Sequence, residues 1–519
     1  MIEDLLQRSG FTVGIILVLS AFLASRIRLL IQLRHIKGPF LQRITGIPHS
    51  LAFLGDDGHN WYNTLSQKYG QLVVVSPTML LTSSPDLWAR MNTHPGYVKS
   101  KWFYHAARFD WRGDNIFTQT SIEKHDERRN QMIRGYSGAE NLTLEADIEF
   151  VVAKLLHLIR SRYAGQRKSM DLAQKIQFFA LDVISAIGFG ECFHLLDADD
   201  DPNNYVNSIR EGLSVVCKQA ALGTWWLNSI PFIGPKPNLD LKTTNGFYRI
   251  ASLHASMVEA REKEFHEQKK SGVVPRADML TSFMKKGLFG IDLKIENLLQ
   301  IVAGSDTAAG SLRAILLYVM ANPRVYKTLQ AEIDSTEESG LVSQAPQIVK
   351  FSQVKECVYL QAVIKEGMRI FSPINTPLSR NTPPGGDTVT IDGDEIYLPG
   401  GIQIIPSFKA MHRNKSVYGR DSDVEVFRPE RWLEERDEKK LEAMKREHHL
   451  MFGDGRWQCL GKAIAMRELS IVTFELFRNF EWTLVNPEKP WKDLNLFGLH
   501  STSDMWVQVE ERKQLRPAI

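Results

Sequence analysis

One short segment of the chain has residue types and spacing that could bind a metal. Residues 452–461 read FGDGRWQCLG, and Cys459 comes directly before a run of residues typical of a helix. Glycines let the backbone turn tightly and approach a flat ligand, and amides directed at a sulfur favour the thiolate, which is the form that binds metals. A helix N-terminus adds about half a positive charge there. The segment predicts a thiolate ligand; the alternative is a buried apolar cysteine beside a turn.

A second segment places small residues beside an acid and a hydroxyl. Residues 303–307 read AGSDT within a predicted helix at 296–320. Ala303 and Gly304 leave room for a flat ligand, while Asp306 and Thr307 could deliver protons in an enclosed site. The same spacing is also typical of close packing between two helices, and the segment alone does not separate these interpretations.

Two further pairs are spaced to share a helix face. Glu366 and Arg369 are three residues apart and could form an ion pair of defined geometry. An exposed pair at this spacing is the common alternative and contributes little stability. His125 and Arg129 are four residues apart and share one helix face, although arginine side chains are usually solvated.

Length and composition limit the possible architectures. The 519 residues exceed the roughly 250–300 that one compact core usually supports, so either two domains or one unusually large helical domain is expected, and we favour the latter. With 63 basic and 60 acidic residues, the formal charge of +3 gives no argument for nucleic-acid binding. The four cysteines show neither a disulfide framework nor zinc-site spacing, which indicates a reducing compartment.

Hydrophobic periodicity predicts a fold that is mainly α with a minor β portion. Apolar residues recur at three- and four-residue spacing in five predicted helices: 178–188, 296–320, 324–333, 354–370 and 461–477. Short β-type runs bounded by turn residues predict strands at 72–75, 78–82, 388–391, 396–398 and 402–405.

The N-terminus predicts a membrane anchor. Seventeen uncharged residues lie between Arg8 and Arg26, enough for a helix of roughly 25 Å. The segment before them is slightly acidic and the basic residues follow them, which argues against a cleaved signal peptide and places the rest of the chain in the cytosol. A buried amphipathic helix is the remaining alternative. We expect an anchor at residues 1–36 and a catalytic domain at 37–519.

Taken together, these motifs resemble cytochrome P450. In FGDGRWQCLG the family's positions hold Phe452, Gly455, Cys459 and Gly461, but the usual basic residue two before the cysteine is replaced by Trp457, with Arg456 one residue earlier. The AGSDT, EGMR and FRPERW segments at 303–307, 366–369 and 427–432 occur in the family's order. The resemblance extends from about residue 37 to the C-terminus and is closest to fungal members of secondary metabolism and of the pisatin-demethylase type.

This resemblance implies a site built around haem b, with Cys459 as the axial thiolate that ligates the iron. It implies Asp306 and Thr307 as catalytic residues, and Arg431 as the partner that completes a structural triad with Glu366 and Arg369. The other residues that it assigns to cofactor binding are His125, Arg129, Arg380, Phe452, Arg456 and Gly304. Hydrophobic substrate contacts are expected from residues 101–117, 211–226 with Trp225 and Trp226, 372–378 and 499–501.

The implied activity is a monooxygenase reaction that inserts one oxygen atom from O2 into a hydrophobic small molecule, as a tailoring step of fungal secondary metabolism. Electrons would come from NADPH through a separate NADPH–cytochrome P450 reductase, with cytochrome b5 as a second potential donor, on the cytosolic face of the endoplasmic reticulum membrane. Alternatives are a detoxifying demethylase or hydroxylase, a haem-thiolate isomerase or dehydratase, and a non-catalytic haem sensor. The expected basic docking residues are Lys124, Arg128, Arg134, Lys462 and Arg467.

Overall fold

Helices build most of the chain and strands a small part of it, as the hydrophobic periodicity predicts. The computed structural model describes residues 2–230, 246–375, 377–419 and 424–512, with the backbone alone at 2–11, 15, 18, 19 and 22. The first residue of the predicted anchor, the last residues of the predicted domain (513–519) and position 376 of a predicted substrate segment lie outside this part of the chain.

The α-helices follow one another along the chain with short connections. They are α1 (Ile2–Gln32), α2 (Phe40–Ile44), α3 (Ile47–Leu54), α4 (Gly58–Tyr69), α5 (Pro85–Thr93), α6 (Lys101–Tyr104), α7 (Ile122–Tyr136), α8 (Leu144–Arg162), α9 (Leu172–Phe189), α10 (Leu195–Ala198), α11 (Tyr205–Ala221), α12 (Gly246–Ser271), α13 (Met279–Lys285), α14 (Gly290–Met320), α15 (Pro323–Glu338), α16 (Phe351–Val354), α17 (Val358–Ile370), α18 (Phe408–Met411), α19 (Lys415–Tyr418), α20 (Arg431–Glu434), α21 (Glu438–Leu450) and α22 (Lys462–Asn479). Short 3-10 helices occupy His105–Ala107, Trp225–Ser229 and Gly455–Trp457.

The strands form small separate sheets. They are β1 (Leu72–Ser76), β2 (Met79–Thr82), β3 (Val98–Lys99), β4 (Met170–Asp171), β5 (Arg380–Asn381), β6 (Asp387–Ile391), β7 (Asp394–Leu398), β8 (Gln403–Pro406), β9 (Phe480–Leu484), β10 (Lys492–Leu496), β11 (Leu499–Ser503) and β12 (Trp506–Glu511).

The largest sheet has the order β1-β2-β8-β5-β3. In it β2 and β8 are parallel, with Leu80 opposite Ile404, and the short strands β3 and β5 are antiparallel, with Lys99 opposite Arg380. The remaining sheets are β4-β12-β9, β6-β7 and β10-β11. The predicted strands all occur within β1, β2, β6, β7 and β8, whereas the hairpins after α22 were not predicted.

The long helices α9 and α14 pack together at the centre of the fold. Helix α9 begins after Asp171, whose carboxylate accepts hydrogen bonds from the amides of Ala173 and Gln174, and it ends at Gly190 in the left-handed conformation (φ 75°). Within the part of the chain that the structure describes, α9 is the one helix long and apolar enough to cross a membrane, and 94% of it is buried inside the protein. It is therefore the core helix against which α14 is held.

The end of the predicted anchor segment packs against the domain. Leu33 and Ile36 are each only 2% exposed and belong to the main hydrophobic cluster. The amide of Val74 in β1 also donates to the carbonyl of Lys37 at 2.9 Å. The folded core therefore includes residues a few positions before 37. A shortened protein that preserves this packing must still contain Leu33 and Ile36.

Candidate active site

A large internal cavity separates α14 from the loop that carries Cys459. Its volume is about 890 Å³. Ala303, Gly304 and Thr307 of α14 line it, and Phe452 and Cys459 of the loop line it as well. The two segments whose sequences suggest chemistry therefore face the same space, although they are far apart in the chain.

The loop before α22 is shaped by glycines in the left-handed region. Gly453 and Gly455 have φ values of 73° and 54°. A side-chain carbon at position 453 would lie 2.7 Å from the carbonyl oxygen of Trp457, so the close approach of these two backbone segments requires glycine. The amide of Cys459 donates to the carbonyl of Phe452 at 2.7 Å, which closes the loop.

Of the four cysteines, Cys459 is the one whose side chain opens on the cavity. Cys217 and Cys357 are buried elsewhere and Cys192 is half-buried. Burial inside the protein raises the pKa of the Cys459 thiol, while the backbone amides of Gly461 and Lys462 act in the opposite direction. The sulfur is thus accessible from the cavity and close to hydrogen-bond donors that favour its anion.

On the other side of the cavity, Thr307 and Gly304 have different surroundings. The hydroxyl of Thr307 lines the cavity and donates to the carbonyl of Ala303 at 2.8 Å, one turn earlier in α14. Gly304 also borders the cavity, but a side-chain carbon there would lie 2.9 Å from Ile184 of α9. Gly304 therefore serves close packing of α14 on α9, the alternative interpretation of the small residues, and also borders the cavity together with Thr307.

Asp306 is turned away from the cavity, toward α9. Its carboxylate accepts a hydrogen bond of 2.7 Å from the side-chain amide of Gln177, and the oxygen of that amide accepts one of 2.7 Å from Arg313. Burial raises the pKa of Asp306, and Arg313 partly offsets this effect. The acid and the alcohol of the AGSDT segment thus lie on adjacent faces of α14, and only the alcohol lines the cavity.

Basic side chains form another part of the cavity wall. His125, Arg129 and Arg380 all line it. Arg129 donates to the carbonyl of Gln458 at 2.6 Å, and Arg380 donates to Asn92 at 3.1 Å. Burial, together with the neighbouring cations, lowers the pKa of His125 to about 2, so its imidazole is neutral.

The two arginines of this wall lack carboxylate partners. No carboxylate among the described residues lies within ion-pair distance of Arg129 or Arg380, and the Nε of Arg380 is buried without a hydrogen-bond partner. A buried guanidinium without a counter-charge is costly, so this wall is suited to an anionic group of a ligand. The two carboxylates of haem have the required charge, and the cavity offers a cysteine sulfur opposite α14, so the residues present fit a haem bound by thiolate.

Arg456 lies outside this wall. Its guanidinium forms an ion pair of 2.8 Å with Asp126, and the ring of Trp457 lines the cavity instead. The basic wall also contains Lys99, which the motifs did not indicate because a single lysine just before the predicted substrate segment 101–117 has no partner at helical or strand spacing.

The predicted Glu366–Arg369–Arg431 triad is buried behind the cavity. Glu366 accepts hydrogen bonds of 2.8 Å from both Arg369 and Arg431, and a further one of 2.9 Å from the indole of Trp432. Burial by itself would raise the pKa of Glu366, but Arg369 and Arg431 lower it below its ordinary value. Trp432 is a member of this network that spacing did not reveal, since its place in it depends on how α20 packs against α17.

The predicted substrate segments contribute unequally to the cavity. From segment 101–117, Phe103 and Phe117 line the cavity. The other three segments also contribute lining residues, among them Leu213 of 211–226, Ile374 of 372–378 and Leu499 of 499–501. Trp225 and Trp226 do not line the cavity, and Trp226 is half-exposed at the surface. The lining is mostly aromatic and aliphatic, which suits a hydrophobic ligand.

Comparison with known proteins agrees with this geometry. The family model for cytochrome P450 matches residues 39–507. The chain belongs to the cytochrome P450 family. The resemblance of its motifs is thereby confirmed, and the chain is a cytochrome P450 monooxygenase by family. The family uses haem with thiolate ligation and takes electrons from a redox partner.

Several fungal monooxygenases are similar along most of their length. The chain is 33% identical over 488 residues to cytochrome P450 monooxygenase ABA1 of Pyricularia oryzae, a match that covers 88% of this chain and 91% of that protein. It is 32% identical over 458 residues to cytochrome P450 monooxygenase aba1 of Botryotinia fuckeliana, with 86% of each covered. Pisatin demethylase of Fusarium vanettenii is 26% identical over 472 residues, with 89% of this chain and 87% of that protein covered.

Proposed function

We propose that this cytochrome P450 oxidises a hydrophobic small molecule as a tailoring step in fungal secondary metabolism. The observation that carries the proposal is the cavity of about 890 Å³, which Thr307 and Cys459 both line among mostly apolar residues. Pisatin demethylase is 26% identical, below the 32–33% of the two relatives named only as monooxygenases, so we rank demethylation of a plant compound below a tailoring oxidation.

In this proposal Cys459 holds haem iron through its thiolate, and Arg129 and Arg380 bind the propionates with neutral His125 beside them. Phe452 contacts the cofactor from the loop side, and Gly304 allows α14 to approach it. When bound, the haem supplies reductive activation of dioxygen, and the electron-donating thiolate favours O–O cleavage. The apolar wall formed by Phe103, Phe117 and Ile374 orients the substrate and excludes water.

Thr307 is the residue that we assign to proton delivery inside the cavity. Its hydroxyl donates to the carbonyl of Ala303 in this structure and borders the cavity, so turning the O–H bond about Cβ–Oγ1 redirects the donor without moving the side chain. Asp306 is assigned to proton supply from the protein side, through its contact with Gln177 and the neighbouring charge of Arg313. A retained hydroxyl at this place favours a monooxygenase over an isomerase.

We also propose that the protein is held on the endoplasmic reticulum membrane by α1, with the domain at 37–519 facing the cytosol. Several apolar side chains of α1 are exposed, among them Leu17 at 64% and Leu23 at 60%. Phe40 of α2 and Leu51 of α3 are exposed as well, at 76% and 64%. These apolar groups are suited to a lipid environment at the point where the chain enters the domain.

Electrons come in this proposal from NADPH–cytochrome P450 reductase, with cytochrome b5 as a second donor. The docking surface is basic and lies near the thiolate loop. Arg128 is not part of it, because its side chain is 14% exposed and forms ion pairs with Glu296 and Asp292. Lys124 and Arg134 are exposed, Arg134 beside its partner Glu140, and Lys462 and Arg467 are half-buried; we assign these four residues to the surface that attracts an acidic partner.

Two measurements test the proposal. The carbon monoxide difference spectrum of the reduced protein reports thiolate ligation, and NADPH consumption with added reductase separates a monooxygenase from an isomerase or a haem sensor. Metabolite profiling of a deletion strain then identifies the substrate. An accumulated apolar precursor of a fungal metabolite supports tailoring, whereas a lost tolerance of an added plant compound supports detoxification.

A further inference from the structure

Lys99 is a buried lysine in the basic wall of the cavity. It lies in β3, and the antiparallel pairing with β5 sets it directly opposite Arg380. The two residues are 6% and 2% exposed, and both line the cavity. Backbone pairing therefore presents two cationic side chains, next to each other, at one edge of the site.

The ammonium of Lys99 is held in place but not neutralised. It donates to the carbonyls of Ile116 and Phe117, each at 2.9 Å. No carboxylate within the described ranges lies within ion-pair distance of it, and the more distant charges of Glu296 and Asp114 only partly offset the burial that lowers its pKa. Arg380 acts in the same direction as burial, so the described part of the site lacks an anion that would favour the protonated amine. A protonated amine has three N–H groups, and the two carbonyls leave one of them for such an anion.

The position of Trp457 explains why a lysine is needed here. The Lys99 ammonium lies 4.6 Å from the centre of the Trp457 ring and 5.0 Å from that of Tyr104, within the range of a cation–π interaction. Residue 457 is the place where the family's motif usually has a basic residue, and the neighbouring Arg456 is paired with Asp126 instead.

We propose that Lys99 supplies the positive charge that residue 457 lacks and binds a haem propionate beside Arg380, with Trp457 holding the ammonium in position. The inference rests on the haem site proposed above. In this arrangement the positive charge comes from Lys99 in β3 of the neighbouring sheet and not from residue 457 of the cysteine loop. The propionates still face the same number of cations.

The rate of haem loss from the holoenzyme to excess apomyoglobin tests this role without reference to turnover. K99M keeps the apolar stem of the side chain and removes the charge; it should release haem roughly 10- to 100-fold faster, as expected for the loss of one buried charge-assisted hydrogen bond. The reduction potential should fall, because a positive charge near the iron favours the ferrous state. K101M, which changes an exposed lysine two residues away, should match the parent, and K99R should retain most of the haem affinity.

A second variant separates charge from packing. In the K99M background, W457R returns a cation to the motif position and should slow haem loss again; a lysine that only supports the fold would not be replaced in this way. Equal haem loss and equal potential in K99M and K101M would overturn the assignment, as would a K99M defect that W457R leaves unchanged. Absence of a thiolate carbon monoxide band in the parent would instead refute the proposed haem site itself.

Discussion

Replacing Glu366 by Gln should destabilise the fold strongly, because one carboxylate neutralises two buried guanidinium groups. Arg369 bonds to it through Nε at 2.9 Å and Nη2 at 2.8 Å, and Arg431 through Nε at 2.8 Å. The side chains of Arg369 and Arg431 are 0% and 2% exposed, so neither charge can reach water after the substitution. Removing one charged partner from a buried ion pair lowers the free energy of unfolding by about 3–5 kcal/mol.

The matched control is Glu434→Gln. Glu434 pairs with Arg428 at 3.5 Å, and the two side chains are 64% and 38% exposed. Exposed pairs contribute about 0–1 kcal/mol, so this variant should unfold at nearly the urea concentration of the parent. The comparison uses the same chemical change at a buried and at an exposed site.

The assay is urea unfolding of the ferric protein, followed by tryptophan fluorescence and by the thiolate carbon monoxide band after reduction. Because the pKa of Glu366 is below its ordinary value in the folded protein, its contribution to stability is present at neutral pH and is lost as pH falls through the lowered pKa. Glu366→Gln should lack this part of the acid sensitivity. A stability within about 1 kcal/mol of that of Glu434→Gln would refute the reasoning.

Three further changes test the site and the anchor. Cys459→Ser should abolish the thiolate carbon monoxide band, whereas Cys192→Ser, outside the cavity, should preserve it; a band retained in Cys459→Ser contradicts the ligand assignment. Thr307→Ala should lower the ratio of product formed to NADPH consumed and raise peroxide formation. The control is Thr328→Ala, which removes an equivalent hydroxyl-to-carbonyl hydrogen bond on the exposed face of α15 and should leave that ratio unchanged. An unchanged ratio in Thr307→Ala would mean that Thr307 only packs. Removal of residues 1–28 keeps the buried Leu33 and Ile36. The shortened protein should be released from membranes by a carbonate wash, with its carbon monoxide band intact. A protein that still resists the carbonate wash would have a membrane anchor elsewhere.

Features that depend on residues close together in the chain could be predicted before the fold was known. Cys459 and its glycines form a local loop, and Glu366 and Arg369 are neighbours on one helix face, so short-range spacing was sufficient for both. Long helices were also predictable, because an apolar stripe with a period of 3.6 residues is a strong signal. The strands β10 and β11 after α22 were not, since KDLNL and LHSTS contain only one β-branched residue between them and therefore give a weak strand signal.

Which side chains reach the cavity depends on how distant elements pack against one another. Asp306 and Thr307 are adjacent in sequence, but successive residues of a helix point about 100° apart, so the packing of α14 on α9 directs one to Gln177 and the other to the cavity. Lys99 joins the basic wall through strand pairing with residues more than two hundred positions away, for which the chain carries no local signal. Sequence spacing identifies which groups can react, whereas the packing of distant elements determines which of them meet.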